Sequence, residues 1–169
     1  MKIIEAMKRL KVIEKRMTDN NTAITAYASI LSTERPAFDS EQEQRKQVQS
    51  LIQANEDLLK EYLSLKTKIE RTNLAVVVEM DGKKYTLSEL LILKRKLAKT
   101  AMGTYEALND RTATAKLRSA SVGPDGKAPQ VLRLYDERVK NAALDKWQDL
   151  YNNCDSRLEV INCTTDLVE

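Results

Sequence analysis

Apolar residues near the start of the chain recur in alternating steps of three and four positions. This spacing places them along one face of an α-helix, and charged residues such as Lys11 and Glu14 fall on the other faces. The pattern predicts a long first helix that packs lengthwise against a partner helix and ends before Pro36, which cannot continue the helical hydrogen bonds. The predicted packing stripe consists of Ile3, Ala6, Leu10, Ile13, Met17, Asn20, Ile24, Tyr27 and Leu31.

The same spacing returns after Pro36 and predicts a second long helix. Asp39 or Ser40 can cap its start, and the acidic residues Glu41 and Glu43 suit the positive end of its dipole. A short turn between two helices of about thirty residues predicts an antiparallel hairpin with arms about 45–50 Å long. The second stripe consists of Val48, Leu51, Asn55, Leu58, Tyr62, Leu65, Ile69 and Thr72.

Each stripe contains one asparagine, Asn20 in the first and Asn55 in the second. In an antiparallel pair that turns near Pro36, these two residues lie within one helical turn of facing each other. Two interpretations stay open at this point. A satisfied polar layer in the core would fix the register of the helices, whereas two asparagines at a wet edge of the seam would not.

The period of the pattern changes between residues 74 and 86. A short β-branched run at 76–78 precedes the pair Asp81-Gly82, and a second short segment follows it. Two such segments around an Asp-Gly pair predict a β-hairpin. Thr86, with Glu89 three residues later, predicts a capping box that opens a third helix.

The remaining sequence predicts two further helices separated by a loop. The third helix is expected to run from Leu87 through Ala115, and the fourth from Leu132 through Ile161. Residues 119–129 hold half of the glycines and two of the three prolines, so they are expected to form a flexible loop.

We therefore predict an all-α fold of two long antiparallel helical hairpins, a coiled-coil-like four-helix arrangement, joined by a short β-hairpin. The expected domains are the N-terminal helical hairpin at 1–73, the β-hairpin connector at 74–86 and the C-terminal helical hairpin at 87–169, which includes the flexible loop 119–129.

Composition agrees with this fold and argues against catalysis. Of the 169 residues, 31% are charged and only 5% are aromatic, which suits amphipathic helices better than a sandwich or a barrel. The chain has no histidine, so it lacks the usual general base and the commonest transition-metal ligand. If Cys154 and Cys163 lie on one continuous helix, they are about 13 Å apart along it, too far for a disulfide. We predict no enzyme activity, no cofactor and no metal site.

Charge is spread unevenly along the chain. Residues 83–118 carry a net charge of +6 and residues 119–169 a net charge of −3. The positive segment could meet a phosphate backbone, the acidic end of its own chain or that of a neighbouring subunit. The low total charge of +3 favours a solvated face or a contact with a neighbouring subunit. The basic face of this segment consists of Lys94, Arg95, Lys96 and Lys99.

Four segments resemble, in order, motifs of the septicolysin-like family of small helical bacterial and phage proteins; they lie at 2–6, 69–73, 81–90 and 162–167. Cys163 stands where that family usually has tryptophan, and the loop at 119–129 is longer than the family pattern. The resemblance implies a helical protein with no established enzyme activity and no catalytic or ligand residues. The occurrence of the family in phages implies a virion or assembly component, and the name of the family implies membrane activity.

Self-association is the function that these patterns favour. The first two stripes are narrow, so apolar residues beside them need a partner outside their hairpin, and several copies packed side by side would bury them. The packing candidates are Ile4, Met7, Ile30, Ile52, Leu59, Leu91, Ile92, Val131, Leu134 and Trp147.

The expected partners are therefore further copies of the chain, as a homo-oligomer, and other structural proteins of an assembly. The alternatives are a membrane-active septicolysin-like protein and, after it, a nucleic-acid-binding bundle that uses the basic segment 83–118. The chain has no apolar stretch of about 20 residues, and its first residues are charged. We accordingly expect no transmembrane segment, no signal peptide and a cytoplasmic or virion location.

Overall fold

Helices account for 68% of the chain, and a two-stranded antiparallel sheet is the other regular structure. These elements come from a computed structural model that describes residues 1–169. A π-helical segment at Leu93–Ala98 joins α3 to α4. The elements are α1 (Ile3–Tyr27), α2 (Glu41–Ala75), β1 (Val77–Met80), β2 (Lys83–Thr86), α3 (Leu87–Ile92), α4 (Lys99–Glu106), α5 (Arg111–Leu117) and α6 (Glu137–Thr164).

The chain divides into two units, of which the first contains Met1–Leu87 and Val160–Glu169. In this unit α1 and α2 pack lengthwise and antiparallel. Ala6, Leu10 and Ile69 form a buried cluster at the open end of this hairpin. The cluster is covered in part by Tyr62, Leu65 and Leu167, and Ile3 and Ile13 are also buried.

The first helix ends earlier than its apolar stripe predicts. It stops at Tyr27 instead of continuing to the turn at Pro36, and Leu31 is exposed. The reason is a side chain from the next helix: Gln44 is buried, its Nε2 donates to the carbonyl of Tyr27, and its Oε1 accepts from the N–H of Ala37. The contacts of the Gln44 side chain thus hold a connection between α1 and α2 that is longer than the sequence predicts.

The β-hairpin forms where the sequence predicts it. β1 and β2 pair with Val77 opposite Thr86 and Met80 opposite Lys83. Asp81 and Gly82 both have positive φ, 52° and 73°, as a tight two-residue turn between twisted strands requires. α3 begins directly after Thr86, the predicted capping residue.

The last residues of the chain return to the start of α1. The N–H of Ile3 donates to the carbonyl of Thr165, and the N–H of Leu167 donates to the carbonyl of Met1. Farther on, the N–H of Val168 donates to the hydroxyl of the buried Thr72. The two ends of the chain therefore complete the first unit together.

The second unit, Ser88–Glu159, differs from the sequence prediction in its helix ends. The third helix stops at Glu106, because Asn109 donates from its amide to the last carbonyls and accepts from the N–H of Arg111, where α5 begins. The fourth helix begins at Glu137 instead of Leu132, since Asp136 accepts from the N–H groups of the first turn.

The connection between α5 and α6 is consequently longer than the predicted loop. Residues 118–136 contain no helix or strand. The buried side chains of this unit are Leu90, Ala98, Cys154 and Leu158. No two of its helices lie along each other as extensively as α1 and α2 do, so a four-helix arrangement stays a proposal.

Candidate self-association surface

α2 is apolar on two sides, and only one of them is covered by α1. The second side, which we call the outer face of α2, includes Ile52, Leu59, Leu63 and Leu74. Their side chains are 45%, 55%, 68% and 66% exposed, respectively. At 100° per residue these four positions fall within about 60° of one another, and roughly 100° from the stripe that faces α1.

The spacing of apolar residues in the sequence indicates half of this face. Ile52 and Leu59 were predicted to need a partner outside the hairpin, and both are exposed. Leu63 and Leu74 were missed, although they lie four and fifteen positions beyond Leu59 and therefore on the same side of the helix. A helical projection of the whole of α2 would have found them.

Charged residues alternate with the apolar ones along the outer face of α2. Glu56 lies between Ile52 and Leu59, and Lys66 and Glu70 lie beyond Leu63. Lys66 Nζ is 3.0 Å from Glu70 Oε1, an ion pair one helical turn apart. The face therefore presents apolar and charged positions in a defined order.

An open pocket of about 630 Å³ lies where the outer face of α2 meets the connection from α1. Ile30, one of the predicted packing residues, is half-buried in its wall. Arg45, Val48 and Gln49 line it from α2. Arg45 and Gln49 fall on the same side of the helix as Ile52, and Val48 lies between that side and the stripe that faces α1, so the pocket continues the outer face toward the start of α2.

Polar contacts fix the register of α1 and α2. Asn20 Nδ2 donates to Asn55 Oδ1 over 2.8 Å, and Asn55 Nδ2 donates to Asn21 Oδ1 over 2.9 Å. Asn20 and Asn55 are half-buried, so this polar layer is satisfied internally at a partly solvated point of the seam. It combines features of both interpretations that the sequence left open.

An ion pair adds a second register contact nearer the open end. Arg9 Nε and Nη2 donate to the two carboxylate oxygens of Glu61 over 2.6 and 3.0 Å. This bidentate hydrogen bonding lowers the pKa of Glu61 and raises that of Arg9.

The other predicted packing residues are scattered. Ile4 is half-buried and Met7 exposed on α1, in the first unit. In the second unit, Leu134 is 96% exposed because it precedes α6 instead of belonging to it. Ile92 is exposed as well, whereas Leu91, Val131 and Trp147 are half-buried.

The predicted basic face is partly engaged within its own chain. Lys94 forms an ion pair with Asp155 and lies 5.4 Å from the ring centre of Tyr151. Arg95, Lys96 and Lys99 are exposed. Thus one of the four basic residues meets the acidic end of the chain, which is one of the arrangements that the charge distribution allowed.

No three His, Cys, Asp or Glu side chains come together closely enough to hold a metal ion. Cys154 is buried and Cys163 is exposed, and neither forms a disulfide. None of the helices combines the length and the apolar character that crossing a membrane requires.

Comparison of the chain with known protein families, with curated proteins and with solved structures finds no match. Its function is therefore inferred from its own surfaces.

Proposed function

We propose that the protein is a non-enzymatic structural protein that associates with further copies of itself through its long amphipathic helices. The observation that carries this proposal is the outer face of α2, on which Ile52, Leu59, Leu63 and Leu74 are all about half exposed or more. Large apolar side chains aligned along one helix face are typical of an interaction surface, whereas scattered ones are not.

The energetic reason is the cost of leaving such side chains in water. Full burial of one leucine or isoleucine side chain is worth about 1.5–3 kcal/mol, and pairing two copies of the face buries four from each copy in part. Part of this gain is offset by the loss of translational and rotational freedom on association. Self-association is thus favourable if the two faces fit together.

The resemblance to septicolysin-like proteins of phages extends the proposal to a virion or assembly component, in which other structural proteins would be further partners. The proposal also includes a four-helix arrangement of the two hairpins of one chain. Copies placed side by side would cover the exposed apolar residues of both units.

A second candidate rests on the exposed Arg95, Lys96 and Lys99, which could contact a phosphate backbone. Retention of DNA that falls steeply with salt would support it. Membrane activity is the other alternative, and leakage of dye from liposomes would support that one.

Sedimentation velocity at micromolar concentration, in low and in high salt, tests self-association. We expect a species larger than the 19.2 kDa chain in both conditions, because apolar burial does not depend on ionic screening. A single 19.2 kDa species in both conditions would refute the proposal.

A further inference from the structure

We propose that α2 pairs with α2 of a second copy in antiparallel orientation, about a two-fold axis that passes midway between Leu59 and Leu63. This inference rests on the proposed self-association and adds to it the face, the orientation and the register. A two-fold axis makes every contact occur twice, so one short face can supply a complete interface.

Charge decides the orientation. In a parallel, in-register pair, Glu56, Lys66 and Glu70 would each lie opposite their own counterparts, and like charges directly opposite one another repel. The antiparallel arrangement instead sets Glu56 of one copy opposite Lys66 of the other. Because Lys66 already contacts Glu70 of its own helix at 3.0 Å, it would lie between two carboxylates.

The apolar positions agree with the same register. Leu59 of each copy lies opposite Leu63 of the other at the centre of the interface. Val48 lies opposite Leu74 at both ends, and Ile52 lies beside the methylene groups of Glu70. If one copy is shifted by one heptad along the other, Leu59 lies opposite Glu56. Leu74 then lies opposite Glu41, the first residue of α2 in the other copy. The proposed register therefore buries more apolar surface.

Shape supports this register at the ends of the interface. Val48 lines the open pocket of about 630 Å³, and Leu74 is 66% exposed at the other end of the same face. These two positions are about 39 Å apart along the helix. In the antiparallel pair, the exposed Leu74 side chain of each copy reaches the pocket of the other copy. This contact occurs twice in the dimer.

Charge reversal on the full-length chain tests the orientation. Glu56→Lys is expected to weaken self-association about tenfold or more, because each dimer exchanges two attractive contacts for two repulsive ones. The double variant E56K/K66E restores opposite charges and should recover the affinity. Asp57→Lys is the matched control, since it makes the same charge change one residue away on a side that faces neither α1 nor the outer face of α2.

Cross-linking tests the register independently of these affinities. In a Cys163→Ser background, chains with Leu59→Cys and chains with Leu63→Cys, distinguished by tags of different size, are oxidised separately and as a mixture. We expect the mixed dimer to form several-fold faster than either homodimer, because only the mixed pair places the two sulfurs opposite each other.

The outcomes separate this inference from the proposed function. An oligomer that responds equally to E56K and D57K, or that cross-links best through Leu59→Cys alone, would overturn the antiparallel pair and leave self-association standing. A chain that is monomeric before any substitution would overturn both. Thermal unfolding of each variant checks folding, and if E56K lowers the melting temperature, the cross-linking result decides.

Discussion

Individual residues along the seam between α1 and α2 differ in burial although they share one sequence pattern. Leu10 is buried in the cluster with Ala6 and Ile69, whereas Met17 and Ile24, two and four turns farther on, are only half-buried. Leu167 packs on the cluster at the open end of the hairpin, whereas at the connection Phe38 packs edge-on against Tyr27. The apolar stripe therefore contributes most of its stability at one end.

Leu10→Ala is expected to lower the free energy of unfolding by about 2–5 kcal/mol, as truncation of a buried leucine leaves a cavity. Leu58→Ala should cost less than Leu10→Ala, because Leu58 is only half-buried. Urea unfolding measures both. Lys11→Ala, at an exposed position, is the control and should cost less than about 0.5 kcal/mol. Equal losses at positions 10 and 11 would mean that the cluster is not the core.

Asn55→Ala is expected to cost about 1 kcal/mol, since it removes the partner of both Asn20 and Asn21. In a double-mutant cycle with Asn20→Ala, the two losses should be less than additive, because either substitution alone already breaks the shared hydrogen bond. Additive losses from urea titration would indicate that the two side chains do not interact in solution.

Helix ends show which signals are local and which are not. α2 begins after Ser40, whose hydroxyl accepts a hydrogen bond from the N–H of Glu43 over 3.1 Å. A cap of this kind involves residues three positions apart and is visible in the sequence. The end of α1 instead involves Gln44, seventeen positions away from the carbonyl that it holds, besides a local contact in which the N–H of Leu31 donates to Glu34 Oε2.

Ser40→Ala is expected to destabilise the chain by about 1 kcal/mol, because the first turn of α2 loses its side-chain acceptor. Ser40→Asp should retain most of the stability. Asp39→Ala, the other cap that the sequence allowed, is the matched control, and its effect on the thermal unfolding midpoint should be small. A larger effect at Asp39 than at Ser40 would indicate that Asp39, and not Ser40, caps α2.

The molecule as a whole is organised by the return of its last ten residues to the first unit. Lys2 forms an ion pair with Asp166, and the N-terminal amine lies 3.6 Å from the same carboxylate. The hydrogen bond from Lys2 lowers the pKa of Asp166. A carboxyl group with a lower pKa in the folded state binds fewer protons there than in the unfolded chain, so this contact stabilises the fold at neutral pH.

The stabilisation from Asp166 should be fully present above the ordinary carboxyl pKa of about 4, and it is lost as the pH falls through the lowered pKa of the folded state. Asp166→Asn should therefore be less stable than the wild type at pH 7, and the difference should shrink as the pH falls below the ordinary carboxyl pKa. Denaturant unfolding at several pH values measures this convergence. Asp19→Asn, an exposed carboxylate outside any ion pair, is the control, and a difference for Asp166→Asn that does not shrink with falling pH would contradict the assignment.

Periodicity along the sequence was sufficient to predict the helical class, the α1–α2 pair, the β-hairpin at Asp81-Gly82 and the position of Asn20 near Asn55. All of these depend on neighbours within a few residues or on a single register, which the spacing of apolar positions records.

Contacts between distant residues decided the rest. The end of α1 depends on Gln44, and the cover of the core depends on Leu167. The exposure of Leu63 and Leu74 was also decided only in three dimensions, because a leucine beside a stripe is buried or exposed according to what packs on it. Local spacing determines which residues share a face, and only the folded chain determines which faces are covered.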